Sequence, residues 1–414
     1  MTEARAPTIR IFAIFAAGYF LSYSFRSIGP IIAPDIAAEL RLNPRELGAL
    51  ASVYFLTFFL AQPVIGIAMD RFGPGRVNSV LIGIAAAGAA LFASGEGIVT
   101  LTIGRAMIGL GVAGALVTAF KAFVVWYAPR HREALSGGMM AVGGLAAMAT
   151  ASPAELLMRE IGWRGLFWVL CAAALLVAIT LAVAVPQVPA PADDGDATRG
   201  GYRSIFGSRI FLSYAPLAIF GSGGFSAIQS LWAGPWLIEV AGLTRAGAAQ
   251  VLLAYGLSLL VGYLMVAAIG ARIAATQHGP RRWFIGSLTV SYAALGVIVA
   301  NPFPDSSLPW FAYGMTLGAA MLAYPALTRA FPAAIAGRVV TAYNLLMFIG
   351  AFALQFGIGA VIQALLDTGI SKVAAYQGAF GSLLAIQVLA LIWFAVLSRA
   401  PVAHPAPSIR NTTP

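Results

Sequence analysis

Long apolar runs restrict the fold of this sequence more than any other feature. A bilayer core about 30 Å thick is crossed by roughly 20 apolar residues in an α-helix. Only 10% of the 414 residues are charged and 60% are hydrophobic, whereas soluble domains carry about 25% charged residues. These values predict an integral membrane protein. Twelve apolar runs of sufficient length predict an all-α fold with twelve transmembrane helices. The runs cover residues 11–35, 47–69, 77–94, 98–127, 134–157, 165–185, 211–238, 247–271, 283–300, 308–328, 338–365 and 375–397.

A duplicated pattern divides the sequence into two halves. Three pairs of similar segments recur in the same order at offsets of 201 to 206 residues, among them FGPGRV after the second run and HGPRRW after the eighth. This repetition predicts two pseudo-symmetric six-helix bundles. A stretch rich in Pro, Gly and Asp predicts a flexible linker between them. The predicted domains are residues 1–185, the linker 186–209, residues 210–398 and a tail over 399–414.

The basic residues indicate an orientation. With the N-terminus placed in the cytoplasm, sixteen Arg and Lys residues fall on the cytoplasmic side, six on the opposite side and three within the spans. The positive-inside rule then predicts cytoplasmic termini, a cytoplasmic linker and a location in a bacterial inner membrane. The start of the chain resembles a signal peptide, but it lacks a convincing cleavage site and is expected to remain as the first helix.

The segment GIAMDRFGPGR, which follows the second run, resembles the loop signature G-x-x-x-D-R-x-G-R-R of the major facilitator superfamily. The resemblance implies that its acidic residue faces the N-terminal dipole of helix 11, which stabilises a carboxylate by about 0.3–1 kcal/mol. This contact would hold the halves together while the cavity faces outward, and the segment would act as a conformational gate. The matching residues are Gly66, Asp70, Arg71, Gly73 and Arg76.

A second segment, GRAMIGLGVAGA, resembles the pattern R-x-x-x-G-x-G-x-A of the same family in helix 4. Its matching residues are Arg105, Gly109 and Gly111. The resemblance to the superfamily covers essentially the whole chain. It implies that helices 1, 4, 7 and 10 line a central cavity and that the two halves rock around a site near the middle of the membrane.

Arg26 is the leading candidate for a substrate ligand. Within an otherwise apolar run, Tyr19, Ser22, Tyr23, Arg26 and Pro30 share one helical face, as expected of a cavity wall. An Arg at mid-span is unfavourable by about 2.5–3.5 kcal/mol, although near a helix end it could instead reach the interface. The spacing Y-x-x-R also resembles organic-anion and phosphate-ester members of the superfamily, which implies that Arg26 holds an anion, with Tyr23 beside it.

Other side chains complete the candidate site. Lys121 and Arg105 are the remaining intramembrane cations, and about 160° of helical rotation separates them, so a straight helix cannot aim both at the cavity centre. Lys121 could also reach the cytoplasmic surface, and Arg105 could serve structure or coupling. From the second half, Gln229, Trp232 and Tyr324 are further candidate substrate contacts, with plain packing as the alternative for the two aromatic residues.

Acidic residues are scarce within the spans. Glu155 is the best-placed candidate for coupling to a proton, although a position at the rim of the membrane fits it equally well. Three intramembrane cations without matching anions predict a positive cavity that favours an anionic solute. The helix 5 antiporter motif of the family, G-P-x-x-G-G, is absent, which argues against drug–proton exchange.

These features predict a secondary active transporter that moves a small organic, anionic solute by alternating access. The alternatives are an efflux carrier for hydrophobic or neutral compounds and a transporter-like sensor without flux. The sequence offers no nucleophile–base set, metal cluster, cofactor motif or nucleic-acid-binding face, so we expect neither an enzyme nor a metalloprotein. The expected partners are the solute, the lipid bilayer and a coupling proton or ion, and the oligomeric state stays open, with a monomer compatible.

Overall fold

A computed structural model describes residues 9–186, 201–274, 276, 279–315, 327–328, 330–331 and 335–398. These residues contain no strand, which confirms the all-α class. In the first half the helices are α1 (Ile9–Ser27), α2 (Gly29–Leu40), α3 (Pro44–Phe72), α4 (Pro74–Ser94), α5 (Ile98–Val112), α6 (Ala115–Trp126), α7 (Pro129–Ala149) and α8 (Ser152–Ala184). In the second half they are α9 (Gly201–Phe206), α10 (Arg209–Pro216), α11 (Gly223–Ala227), α12 (Ala233–Glu239), α13 (Arg245–Ala274), α14 (Gly279–Ala300), α15 (Leu308–Met315), α16 (Ala336–Asp367) and α17 (Lys372–Leu397).

Nine helical stretches of the described residues are long and apolar enough to cross a bilayer, and the bent pair α1–α2 makes a tenth. Of the other two predicted spans, 134–157 falls on α7 and the start of α8, divided at residues 150 and 151. The span 308–328 is described only over α15 and residues 327–328, because 316–326 lie outside the described residues. Residues 187–200 of the predicted linker and the predicted tail also lie outside them.

Two glycines end helices where the sequence predicts connections. Gly162 has φ 69° and divides α8 into a part up to residue 161 and a longer part from residue 163. Gly73 has φ 78° and separates α3 from α4. L-residues with a side chain rarely adopt positive φ, so glycine is required at both turns. The break at Gly162 falls between the predicted fifth and sixth spans.

The first span is bent rather than straight. α1 and α2 meet at 46°, with the break between Ser27 and Gly29. Pro30 occupies the first turn of α2, where its missing N–H is tolerated, but the same residue cannot continue the hydrogen-bond ladder of α1. The bend turns α2 toward the second half of the chain.

The two halves meet closely at the end of the bundle that contains α2 and α12, which we name the α2 end. A Cβ at Gly29 would clash with the carbonyl oxygen of Ser230, and a Cβ at Gly234 would clash with that of Pro30. Such small residues allow helix backbones to approach within a membrane. An ion pair between Asp35 of α2 and Arg245 of α13 also joins the halves there.

The opposite end, where α3 meets α4 at Gly73, we name the Asp70 end. The buried apolar residues of the described ranges form one large cluster shared by both halves and two smaller clusters that each belong to one half. The smaller clusters contain residues of the Asp70 end, such as Met69 and Val77 in one and Phe211 and Phe394 in the other. The described bundle is therefore joined at the α2 end and divided toward the Asp70 end.

Substitution of Gly234 tests the contact at the α2 end. We expect Gly234→Ala to lower the free energy of unfolding by about 1–3 kcal/mol, because the added methyl group would overpack against the Pro30 carbonyl. Thermal unfolding of the purified protein measures the change.

Gly357 of α16 provides the matched control, because a Cβ there would meet nothing within 4 Å. Gly357→Ala is expected to be neutral or to stabilise by about 0.4–1 kcal/mol, since alanine restricts the unfolded chain. Equal melting temperatures for the two variants would contradict a tight contact between the halves at Gly234.

Candidate functional site

Arg26 lies in the last turn of α1, close to the middle of the combined span α1–α2. Its guanidinium carbon is 4.3 Å from the ring centroid of Tyr23, which is a cation–π contact. The residue keeps partial exposure, although its Nε atom is shut off from solvent. This position, between the closed end and the divided end, suits a residue that contacts a solute within a cavity.

Four tyrosines lie close enough to Arg26 to interact with its charge. Besides Tyr23, they are Tyr19 of α1, Tyr54 of α3 and Tyr263 of α13. The rings of Tyr19 and Tyr23 meet edge-on with centroids 6.1 Å apart. A Cβ at Gly143 of α7 would lie only 3.1 Å from both rings, so this glycine makes room for them. Helices of both halves thus contribute aromatic walls and phenol groups around one cation.

The second half also contributes Gln229. Its Nε2 donates a hydrogen bond of 3.1 Å to the Tyr23 hydroxyl. Gln229 lies in a π-helical segment, Ile228–Trp232, that separates α11 from α12, and a second such segment, Leu217–Ser222, precedes α11. π-Helical turns are rare and frequently occur at functional sites. The structure therefore brings together Arg26, Tyr23 and Gln229, as the sequence predicts for a shared site.

Arg26 has no anionic partner among the described residues. Within the described part of the chain, its Nε makes no hydrogen bond and no carboxylate lies within ion-pair distance of it. Residues 316–326, which lie outside that part, contain no Asp or Glu. A guanidinium removed from water without a counter-ion is energetically unfavourable, and an anion that binds it relieves this penalty.

Arg105 is buried, and its guanidinium already has partners within the protein. Its Nη1 donates to the carbonyl oxygen of Phe25 at 3.0 Å, and its guanidinium carbon lies 4.8 Å from the centroid of the Tyr54 ring. Phe25 is adjacent to the break between α1 and α2, where the helical ladder is interrupted. Arg105 thus ties α5 to the bend of the first span, which agrees with a structural role next to the site.

Lys121 lies at the Asp70 end and not beside Arg26. Its Nζ is 3.1 Å from Asp70 Oδ1, and the two side chains are 34% and 49% exposed. The resemblance implies a dipole contact between Asp70 and helix 11 while the cavity faces outward. In the described conformation Asp70 instead pairs with a cation of its own half. Because the pair neutralises Lys121, the structure offers no support for this residue as a ligand of the Arg26 site.

The other residues of the loop signature have separate positions. Gly73 provides the turn between α3 and α4 through its positive φ. The Arg71 guanidinium lies 5.2 Å from the centroid of the Phe72 ring, and Arg76 is exposed in the first turn of α4. A Cβ at Gly66 would meet nothing within 4 Å, so packing does not explain this glycine.

Trp232 is fully buried, and neither its hydrogen bond nor its aromatic ring contact involves Arg26. Its indole N–H donates to the Gln355 carbonyl at 2.9 Å, and its ring lies against Gly48 and Gly359, at the contact of α3 with α16. The structure thus places Trp232 in the packing between the halves. Tyr324, the remaining candidate of the second half, lies outside the described residues.

Glu155 is buried near the start of α8, and its Oε1 accepts a hydrogen bond of 3.3 Å from Arg159. One turn earlier, at the break between α7 and α8, the hydroxyls of Thr150 and Ser27 are 2.8 Å apart. These hydroxyls line a cavity of about 20 Å³ together with Gln229, and this volume suffices for one water molecule. The cavity therefore connects the Ser27–Thr150 pair with Gln229, and Glu155 lies five residues beyond Thr150 without lining it.

The site includes two residues that the sequence alone does not single out. Tyr54 and Tyr263 are isolated tyrosines within apolar runs, and that pattern is more typical of packing. Their positions depend on how α3 and α13 pack against α1, which no local pattern encodes.

Membrane-spanning helices in two halves, joined at one end and divided at the other around a polar site at mid-span, define the class of membrane transporters. A model of the Major Facilitator Superfamily matches residues 14–355. The chain belongs to the Major Facilitator Superfamily.

Two curated relatives and one solved structure illustrate the similarity. The probable sulfoacetate transporter SauU of Cupriavidus necator is 28% identical over 165 residues, which are 40% of this chain and 38% of that protein. An MFS-type efflux pump of Mycolicibacterium smegmatis is 24% identical over 282 residues, 65% of this chain and 64% of the pump. The crystal structure of a D-xylose-proton symporter has a TM-score of 0.76 at 15% identity and covers 93% of this chain and 97% of its own.

The ion pair with Asp70 leads to a prediction for Lys121. We expect Lys121→Met to change the dissociation constant of a stabilising solute by less than about threefold, under 1 kcal/mol. Isothermal titration with the purified protein measures the affinity, and flux into vesicles measures the rate. The rate should fall, because Asp70 loses its partner at the end that must open and close.

Lys121→Arg is the control, since it keeps the charge and should keep the rate. A tenfold loss of affinity in Lys121→Met would show instead that Lys121 contacts the solute directly.

Proposed function

We propose that this transporter carries a small organic anion, a carboxylate or sulfonate of a few carbon atoms, and that Arg26 is its principal ligand. The observation that carries the proposal is a guanidinium at mid-span with an unpaired N–H and no carboxylate near it in the described residues. Cations within a membrane nearly always pair with other groups, so an unpaired one marks a functional site.

The chemistry around Arg26 favours an oxyanion over a neutral solute. A guanidinium presents parallel N–H groups that match two oxygens of a carboxylate or sulfonate. The hydroxyls of Tyr23 and Tyr263 and the amide of Gln229 add neutral donors and no competing negative charge. The aromatic rings would pack against the short carbon chain.

The sulfoacetate transporter among the relatives supports the proposal, because sulfoacetate is a small anion of this kind. The efflux pump among the relatives supports the main alternative, a carrier for hydrophobic or neutral compounds. We favour the anion because only that solute would compensate the charge of Arg26.

We further propose that the α2 end faces the outside of a bacterial inner membrane, with the termini and the Asp70 end in the cytoplasm. The excess of Arg and Lys on the Asp70 side supports this orientation. The described conformation would then be closed outward, and its divided end would receive or release the solute on the cytoplasmic side.

Glu155 is our candidate for the coupling proton. It is buried, its partner Arg159 is half-exposed, and the Ser27–Thr150 pair lies one turn from it toward Gln229. Protonation would release Arg159, and a water in the small cavity would connect this change to the site.

Two arginine variants test the anion proposal. We expect purified Arg26→Gln to be at least as stable as the wild type without solute, because a partly buried charge without a counter-ion in the described residues is removed. Arg105→Gln should be less stable by about 1–3 kcal/mol, because the Phe25 carbonyl loses its donor. Thermal unfolding measures both values.

Matched solutes complete the test. Small carboxylates and sulfonates at 100 times their dissociation constant should stabilise the wild type by about 2.7 kcal/mol, and their uncharged amides should not. Arg26→Gln should lose this response, and Arg26→Lys should keep only part of it. If the amides stabilise the wild type and Arg26→Gln equally well, the efflux alternative is correct.

A further inference from the structure

A large apolar groove runs along the outer face of the first half at the Asp70 end, which we name groove 1. It has a volume of about 770 Å³ and lies between α3 and α4, with contributions from α5 and α8. Its lining is apolar except for Thr57, Ser79 and Arg76, and it includes Leu60, Val64 and Val80, which are more than half exposed. No residue of the Arg26 site lines groove 1, so the groove is separate from that site.

The second half has a groove of the same volume in the corresponding place, which we name groove 2. It also measures about 770 Å³ and lies between α13 and α14, with Met315 of α15 at one side. Its lining includes Arg272, Arg282 and Trp283. A similar groove in each half indicates a feature of the repeated unit and not an accident of one helix pair.

Sequence offsets confirm that the grooves correspond. Arg76 and Arg282 are 206 residues apart, as are Gly73 and Gly279, which lie at the start of the two paired segments. Each arginine lies near the start of its helix, α4 or α14, and each groove extends from there toward the middle of the bundle. Both grooves thus have a cation at the helix ends and an apolar wall deeper in the membrane.

The charge of both grooves is positive. None of the described lining residues is acidic. At the mouth of groove 1, Arg71 lies over the ring of Phe72, a lining residue, and the nearby carboxylate of Asp70 is paired with Lys121. Basic residues at a membrane surface attract anionic lipids by about 1 kcal/mol each.

The length of groove 1 matches an acyl chain. Its lining on α3 extends from Thr57 to Phe72, which is about 22 Å at a rise of 1.5 Å per residue. One leaflet of the hydrocarbon core is about 15 Å thick. A chain whose head group lies at Arg76 could therefore follow the groove through its own leaflet.

Groove 2 contains a further donor. The indole N–H of Trp283 is buried and has no hydrogen-bond partner within the described residues. It lies next to Arg282 in the sequence and lines the same groove. A buried donor without a protein partner can donate to an oxygen of a molecule bound in the groove.

We propose that grooves 1 and 2 bind anionic phospholipids. In each groove an acyl chain covers the apolar wall, and the phosphate contacts the arginine at the mouth, Arg76 in groove 1 and Arg282 with Arg272 in groove 2. In groove 2 the Trp283 N–H donates to an oxygen of the phosphate or the ester. This role is independent of the transported solute.

Thermal unfolding of the delipidated, detergent-purified protein tests the proposal. Phosphatidylglycerol should raise the melting temperature of the wild type by roughly 4 °C more than phosphatidylcholine with the same chains. Inorganic phosphate should have no such effect, because it cannot occupy the apolar wall. Native mass spectrometry should show two retained phosphatidylglycerol molecules per protein.

Variants that remove charge test the contact with the phosphate, and a variant that fills a groove tests the binding of the acyl chain. Arg76→Gln/Arg282→Gln should abolish the difference between the lipids, and Val80→Trp, which fills groove 1 without a change of charge, should remove one of the two retained molecules. Arg10→Gln is the matched control, because Arg10 is exposed and lines neither groove. Equal stabilisation by both lipids, or a full response in the double variant, would overturn the proposal.

Discussion

A bilayer supplies no water to unpaired backbone groups, and this constraint governs how the first span is built. Pro30 interrupts the helical ladder, and α1 and α2 meet at 46°. Arg105 donates to the Phe25 carbonyl beside this break. The bend directs α2 against the second half, where Gly29 and Gly234 permit backbone contact. The same bend leaves Arg26 in the last turn of α1, so the closed end and the position of the proposed ligand have one origin.

The three intramembrane cations have three different roles because their surroundings differ. Lys121 reaches a carboxylate at the membrane surface, and this exposed pair contributes about 0–1 kcal/mol to stability. Arg105 satisfies a backbone carbonyl, so its charge is hydrogen-bonded without a counter-ion. Among the described residues, Arg26 has aromatic rings and neutral polar groups around it and no carboxylate. Of the three cations, Arg26 is the one whose charge a bound anion would neutralise.

Much of this architecture could be predicted from the sequence, since apolar runs and helix-breaking glycines are local signals. The break at Gly162 and the turn at Gly73 follow from such patterns. The meeting of Arg26 and Tyr23 with Gln229 was to be expected only from the resemblance, which implies that helices 1 and 7 line one cavity. The pairing of Lys121 with Asp70 could not be predicted, because the two residues are 51 positions apart and meet only once α6 packs beside α3. For the same reason the sequence leaves Trp232 open between a substrate contact and plain packing, and in the structure its indole donates to the Gln355 carbonyl of α16.

Two short segments, 26–30 and 229–234, contain both the proposed binding residues and the contact that closes the α2 end. Arg26 precedes Gly29 by three residues, and Gln229 directly precedes Ser230, whose carbonyl lies against Gly29. The hydrogen bond from Gln229 to Tyr23, one turn before Arg26 in α1, joins the second segment to the site itself. An anion on Arg26 would compete for these same donors within one helical turn of the seal. Alternating access requires that solute binding and the opening of this end influence each other. Here the residues for both processes lie in the same two helical turns, one in each half.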